Sequence, residues 1–183
     1  DLQIAVLAFQ HVKKFYFKLP DFTANASDEK IFAGGQLAQL IGAMGCLEEL
    51  TLVSSACNPY VPWEAICGNR RLGSLRVLDL QSFDFQEQEF MEFLVRHNTT
   101  LRVVKLFCVE MYSGTFLSLL SRMRENLELV SLELTGVLED VAGNFLDYSC
   151  VAAKALEDYV TKRSQQFPFD SIQRHQRENS EDK

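Results

Sequence analysis

Three imidazoles, five thiols and one glycine-bracketed turn are the features of this 183-residue chain best equipped for chemistry. None of His11, His97 and His175 has a Cys or carboxylate at metal-ligand spacing, so each reads as a satisfied or solvent-facing histidine and no metal or cofactor is expected. A nucleophilic thiol needs a turn that exposes it and a neighbour that favours the thiolate. Neither surrounds Cys46, Cys57, Cys67, Cys108 or Cys150, although a Cys–His pair assembled by the fold stays open. Gly68-Asn-Arg-Arg-Leu-Gly73 lacks the Gly-Lys-Ser/Thr ending of a phosphate loop and precedes a strand pattern instead of following one. It reads as a helix-end turn, with Arg70 and Arg71 either solvated or touching an anion or a partner.

The same cysteines inform the compartment. They are odd in number, widely spaced and mostly set among apolar residues, as in Leu106-Phe107-Cys108-Val109, which predicts reduced core thiols and a cytoplasmic or nuclear protein. Asn98-Thr99-Thr100 fits the glycosylation acceptor pattern, one that arises often by chance. A net charge of −7 without a gathered basic stripe argues against nucleic acid as partner. No apolar run reaches the roughly 20 residues of a membrane helix, and residues 1–19 lack the charged-then-apolar order of a signal peptide. The chain opens at Asp1 without an initiator Met, and so reads as a piece of something longer.

What must position any site is a repeat. Five segments read apolar, two free, apolar, one free, apolar: Val12-Lys-Lys-Phe15-Tyr-Phe17, Leu47-Glu-Glu-Leu50-Thr-Leu52, Leu75-Arg-Val-Leu78-Asp-Leu80, Leu101-Arg-Val-Val104-Lys-Leu106 and Leu127-Glu-Leu-Val130-Ser-Leu132. Their central residues 15, 50, 78, 104 and 130 leave intervals of 35, 28, 26 and 26. Each segment alternates with the period of a strand that buries one face. Between them the period changes. Leu37, Leu40, Ile41 and Met44 share one helical face, as do Phe116, Leu119, Leu120 and Met123. A third helix is expected over about Gln86–His97, with Asp84 and Glu87 forming a capping box, and a fourth starts at Pro62 and carries Trp63, Ile66 and Cys67. Trp63 and Tyr60 read as loop packing, or as a hot spot if exposed. Pro20–Gly35 and Ser54–Pro62 read as loops that stretch the first two intervals. Ser149 is placed to cap a last helix from Cys150 to about Arg163, and from residue 164 the composition predicts a polar, mobile tail.

Leu-x-x-Leu-x-Leu at a 26-residue period resembles leucine-rich repeats of the helix-bearing kind found in F-box proteins and ribonuclease-inhibitor-like proteins. The stretch from Phe93 to Arg102 also looks like the helix-to-strand junction in the C-terminal repeats of fungal F-box proteins. The likeness spans about Val12 to Leu138. It departs where the family places Asn or Cys three residues past the last strand leucine, a column that here reads Pro20, Ser55, Phe83, Val109 and Thr135. Repeat units of this length predict an α/β fold of stacked repeats, and the resemblance implies a short right-handed leucine-rich-repeat solenoid over residues 1–163, with parallel strands on the concave face, helices on the convex face and the last helix as its cap.

In such a stack the free strand positions point outward. One column reads Tyr16, Thr51, Asp79, Lys105 and Ser131, and the next reads Lys18, Val53, Gln81, Phe107 and Glu133. A third reads Lys14, Glu49, Val77, Val103 and Leu129, so that Lys14 is set to face Glu49, and Asp79 to face Lys105. These columns are either a solvated surface with weak ion pairs or a partner-binding strip. The expectation is a non-enzymatic protein–protein interaction module whose partner is a protein, with no membrane contact. The F-box resemblance implies substrate recognition for a ubiquitin ligase, its adaptor subunit held by a region outside this chain. A structural subunit of a constitutive complex and a small α/β enzyme are the alternatives.

Overall fold

The computed structural model describes residues 8–19, 35–54, 62–141, 144–146, 150–168 and 173–174. The loop bodies on either side of the second strand, Ser149, Cys57, Tyr60 and His175 lie outside them. Along the chain, strand β1 (Lys14–Lys18) is followed by helix α1 (Gln36–Ala43), β2 (Glu49–Val53), α2 (Trp63–Cys67), β3 (Val77–Gln81), β4 (Asp84–Gln86) and α3 (Glu87–Arg96). Then come β5 (Val103–Ser113), α4 (Phe116–Asn126), β6 (Ser131–Glu139), β7 (Asn144–Leu146), α5 (Cys150–Val160) and β8 (Gln173–Arg174). The protein is a mixed α/β fold. Strands β1, β2, β3, β5 and β6 lie side by side in chain order, each parallel to the one before, and β4 pairs in parallel with the second half of β5. Strands β7 and β8 close that edge in antiparallel pairing.

Alternation decides which side of the sheet is buried. Leu50, Leu52, Leu78, Leu80, Val104, Leu106, Leu132 and Leu134 are buried in one continuous core with the apolar helix faces. Burying one leucine side chain fully is worth about 1.5–3 kcal/mol, so eight such anchors dominate the driving force for the stack of strands. A backbone device fixes the register. The carbonyls of Lys13, Glu48, Arg76 and Arg102 each accept two successive N–H groups from the next unit, those of 48 and 49, 76 and 77, 102 and 103, and 130 and 131.

That device corrects the fifth repeat segment, which forms β6. Val103 pairs with Ser131, Val104 with Leu132 and Leu106 with Leu134, so the anchors are Leu129, Leu132 and Leu134, not Leu127, Val130 and Leu132. Val130 is exposed, whereas Leu129 is buried and does not belong to the outward column. The segment from Leu127 to Leu134 holds two overlapping copies of the motif offset by two residues. A two-residue slip preserves which side chains face in, so alternation alone does not choose between them.

A second departure follows the strand anchors. Ser82, Cys108 and Gly136 occupy equivalent places and all have left-handed backbone, φ 55°, 50° and 76°. A β-bulge there shifts the register of β5 against β6, and the chain bends into a second run of parallel pairing: Asp84 with Glu110, Val109 with Leu138, and Glu110 with Glu139. At Gly136 the left-handed φ is joined by crowding, since a Cβ would land on Cys108 Sγ. In the expected polar column Phe83 and Val109 are buried, so apolar packing occupies the turn there.

The helices follow their expected apolar faces. Helix α4 is capped by Thr115, whose hydroxyl accepts from the Ser118 N–H at 3.2 Å. The capping box expected for α3 does not form: Asp84 lies in β4, where it accepts the Tyr112 hydroxyl at 3.2 Å, and the N-cap Gln86 bonds no backbone N–H. Glu87 instead reaches the next unit. Its buried carboxylate accepts from the Thr115 N–H at 3.2 Å, the Ser118 hydroxyl at 2.6 Å and the Arg122 guanidinium at 3.0 Å. Asp140, also buried, accepts the Phe116 N–H at 3.0 Å. Trp63 is buried and stacks on Phe83, Phe90 and Phe93, so it is packing.

Helix α5 ends at Val160, short of Arg163, and packs Leu156 and Val160 into the core beside β6. The segment after it is held: Phe167 is buried against Tyr159, and Arg124 binds the carbonyls of Tyr159 and Ser164. The thiols divide. Cys67 is buried, and burial pushes its thiol far above the usual range, whereas Cys46 is exposed and not a core residue.

Candidate functional site

The open side of the sheet is built from the residues between the anchors, and it gathers most of the expected outward positions. Tyr16 is 64% exposed and Phe107 44%, and Lys18 and Glu133 are also exposed. Val53, Asp79, Gln81 and Lys105 are half-buried by their cross-strand neighbours. Thr51 is buried between Tyr16 and Asp79 in the register and offers little surface. The corrected register moves Glu133 into line with Lys105, Thr135 into line with Phe107, and Ser131 into line with Val103. Ser131 gives its hydroxyl to Glu157 of α5 at 3.0 Å, so it belongs to the seam with that helix.

Charge on this face is paired locally. Lys14 meets Glu49 at 2.7 Å, as expected. Lys105 is opposite Asp79 in the register, yet its ion pair is with Glu133 at 2.9 Å, and that hydrogen bond raises the ammonium above its ordinary range. Asp79 instead accepts the Gln81 amide at 3.3 Å. Outward positions that alternation missed lie past the bulge, where the phase of the strand is reset: Asp84, Glu110, Tyr112, Val137 and Glu139. The signal available in the sequence was Val109-Glu110-Met111-Tyr112, a fresh alternation beginning one residue out of phase. Burial holds the Asp84 carboxyl above the usual carboxylate range, against the opposing pull of the Tyr112 hydroxyl.

Two further places gather polar side chains. A cleft of about 220 Å³ between α2 and α3 is lined by Trp63, Glu64, Glu89, Glu92, Phe93 and Arg96, among others. Two of its polar groups tie the helices together: Glu89 accepts the Trp63 N–H at 3.3 Å, and Arg96 donates to the Gly68 carbonyl at 3.1 Å. His97 is fully buried. Its Nε2 accepts the Leu72 N–H at 2.9 Å and its Nδ1 donates to the Phe93 carbonyl at 2.7 Å, which requires the neutral ring, and burial lowers its pKa. It joins two neighbouring units, so the satisfied-histidine reading describes it. Arg71 is exposed and reaches Thr99 across the same junction.

The fold and the face thus define a mixed α/β protein with an open-sided parallel sheet and helices packed on its other side. Among the described residues no helix is long and apolar enough to cross a membrane, and no three His, Cys, Asp or Glu side chains are placed to hold a metal ion. Compared with protein-family models, curated proteins and solved structures, the chain matches none.

Proposed function

We propose that this protein is a non-enzymatic interaction module, a short leucine-rich-repeat stack that recognises a protein partner on the open face of its sheet. The observation that carries the reading is the division of the strands: anchors are sealed against the helices, while Tyr16, Phe107 and Tyr112 stand 64%, 44% and 45% exposed on the other side. Exposed aromatic groups among charged ones are the composition of interface centres, and repeat proteins present this face to partners. The likeness to F-box repeats extends the proposal to substrate recognition for a ubiquitin ligase in the cytoplasm or nucleus, the adaptor being bound elsewhere. The strand order and the paired carbonyl contacts at intervals of 35, 28, 26 and 28 support the repeat architecture.

The test replaces Asp79, Lys105 and Phe107 together with Ser and compares partners captured by the variant and the parent, identified by mass spectrometry. A set of partners captured by the parent and lost from the variant is the expected result. Capture unchanged by the triple replacement overturns the placement of the site.

A further inference from the structure

We propose that Thr99 is a phosphorylation site whose phosphate is clasped by Arg71 and Arg102, tying the turn before β3 to the turn before β5. The site is independent of the open face and lies at the junction where His97 bonds the Leu72 N–H. Arginines stand at 70, 71, 76, 96 and 102. Among the described residues none of the five forms an ion pair with a carboxylate. Those that bond reach only neutral oxygens. Arg71 donates to the Thr99 hydroxyl, and Arg102 to the carbonyls of Thr99 at 2.9 Å, Leu101 at 2.7 Å and Asn98 at 3.4 Å. Arg96 donates to the Gly68 carbonyl at 3.1 Å and to the Asn69 side-chain oxygen at 3.3 Å. The carboxylates that feel Arg76 and Arg102 are engaged elsewhere: Glu48 is held by Lys13 at 2.9 Å and Glu128 by Lys162 at 2.6 Å. The positive field is felt inside the protein, where Arg96 and Arg71 add to burial in lowering the His97 pKa.

Two guanidinium groups from successive units thus meet at one threonine. Its side chain is exposed, and its hydroxyl is already the acceptor of Arg71. Thr100 is half-buried and its hydroxyl donates to the His97 carbonyl at 3.4 Å, so the adjacent threonine is not the site. A phosphate on the Thr99 oxygen brings about 1.5 to 2 negative charges and three strong acceptor oxygens. Charge-assisted hydrogen bonds are about twice as strong as neutral ones, so the bonds it offers Arg71 and Arg102 outweigh those it replaces. The transfer is carried out by a separate kinase with a nucleoside triphosphate. A bond forms from Thr99 Oγ1 to the γ-phosphorus, the bond from that phosphorus to the bridging oxygen breaks, the nucleoside diphosphate leaves, and the hydroxyl proton passes to the kinase's base. The product links two units at a place where His97 already joins them.

The first measurement is peptide mapping by mass spectrometry of the full chain made in cells of its source, with phosphatases inhibited. Phosphate is expected on Thr99 and not on Thr100. The second is phosphorus NMR against pH on the full chain carrying phosphothreonine at 99, introduced during translation. Opposite charge favours the dianion, so in the parent the second ionisation should lie about 0.5 or more lower in pH than in Arg71→Gln. Arg71→Lys, which keeps the charge and loses the fork, should fall between them. Glu125→Lys, on exposed α4 surface, should match the parent. Amide exchange around Leu72 should slow at least about twofold on phosphorylation, and Arg71→Gln should abolish the change. Unfolding curves check that each variant folds, and Arg102→Gln carries the comparison if Arg71→Gln does not. No phosphate on Thr99, a sugar on Asn98 in its place, or an ionisation that neither arginine replacement moves overturns the proposal.

Discussion

On β3 the residues at 78 and 80 are buried leucines, while those at 77, 79 and 81 are Val, Asp and Gln and only half-buried. The neighbouring strands keep the first choice and change the second: Leu50 and Leu52 alternate with Glu49, Thr51 and Val53, and Val104 and Leu106 with Val103, Lys105 and Phe107. Two sides of one sheet therefore follow different rules within single strands. The packed side is held to apolar residues because each anchor is buried in the core that it shares with the apolar helix faces. The open side is held only to tolerate its cross-strand neighbour, which leaves its chemistry available for recognition. A change on the packed side should be felt as stability, and one on the open side as binding.

The largest break in this contrast comes from Leu78→Ala, which leaves a cavity among fully buried neighbours and should lower unfolding free energy by about 2–5 kcal/mol in a urea titration. The neighbouring change Asp79→Ala should stay within about 0.5 kcal/mol. Comparable losses for the two would end the claim that the sides differ. Next in size is Glu87→Ala. It strips a buried acceptor from the Thr115 N–H, the Ser118 hydroxyl and Arg122, and an unsatisfied buried donor costs about 1–3 kcal/mol. Because these contacts cross between units, the loss should also show as faster amide exchange in the first turn of α4 than in α3.

His97 gives the contrast a pH dependence. Its ring is buried between the Leu72 N–H and the Phe93 carbonyl, and burial lowers its pKa from the ordinary 6.5. The unfolded chain then binds a proton that the folded chain refuses between those two values. Stability contributed by the neutral ring is complete above about pH 6.5 and declines as pH falls towards the lowered native value. His97→Leu should cost about 1–3 kcal/mol at neutral pH by orphaning the Leu72 N–H, and should flatten the profile below pH 6.5. A variant whose profile keeps the parent's slope there would show that another group sets it.

Much of this division could be read before the fold was seen, for a definite reason. Alternation of Leu and polar residues reports burial directly, so β1, β2, β3, the first half of β5 and the inward faces of α1, α3 and α4 followed from it. Where backbone geometry took over, the reading failed. Ser82 and Cys108 adopt left-handed φ although neither residue type announces it, and the kink at these places rephased the outward residues from Asp84 to Glu139. The two overlapping motifs between Leu127 and Leu134 hid the register of β6, in which the Arg102 carbonyl accepts the N–H groups of Val130 and Ser131. Asp84 and Glu87 had capping-box spacing, but the pairing of β4 with β5 withdrew Asp84 from the helix end. Long-range pairing overrode a local signal in each case.

The smallest expected effect sharpens the comparison most finely. Lys105 and Glu133 form an ion pair at 2.9 Å on the open side, with side chains 37% and 50% exposed. Water screens such a pair, so a double-mutant cycle of Lys105→Met and Glu133→Gln should give a coupling of about 0.2–1 kcal/mol, at the lower end in 0.5 M salt. The same two replacements remove two charged groups of the open face, so they bear on recognition more than on folding. Each replacement alone should change capture of the partner while unfolding midpoints barely move. If instead stability changes and capture does not, the open face is a structural surface like the packed one, and the distinction between the two sides of the sheet fails at the point where it was drawn most narrowly.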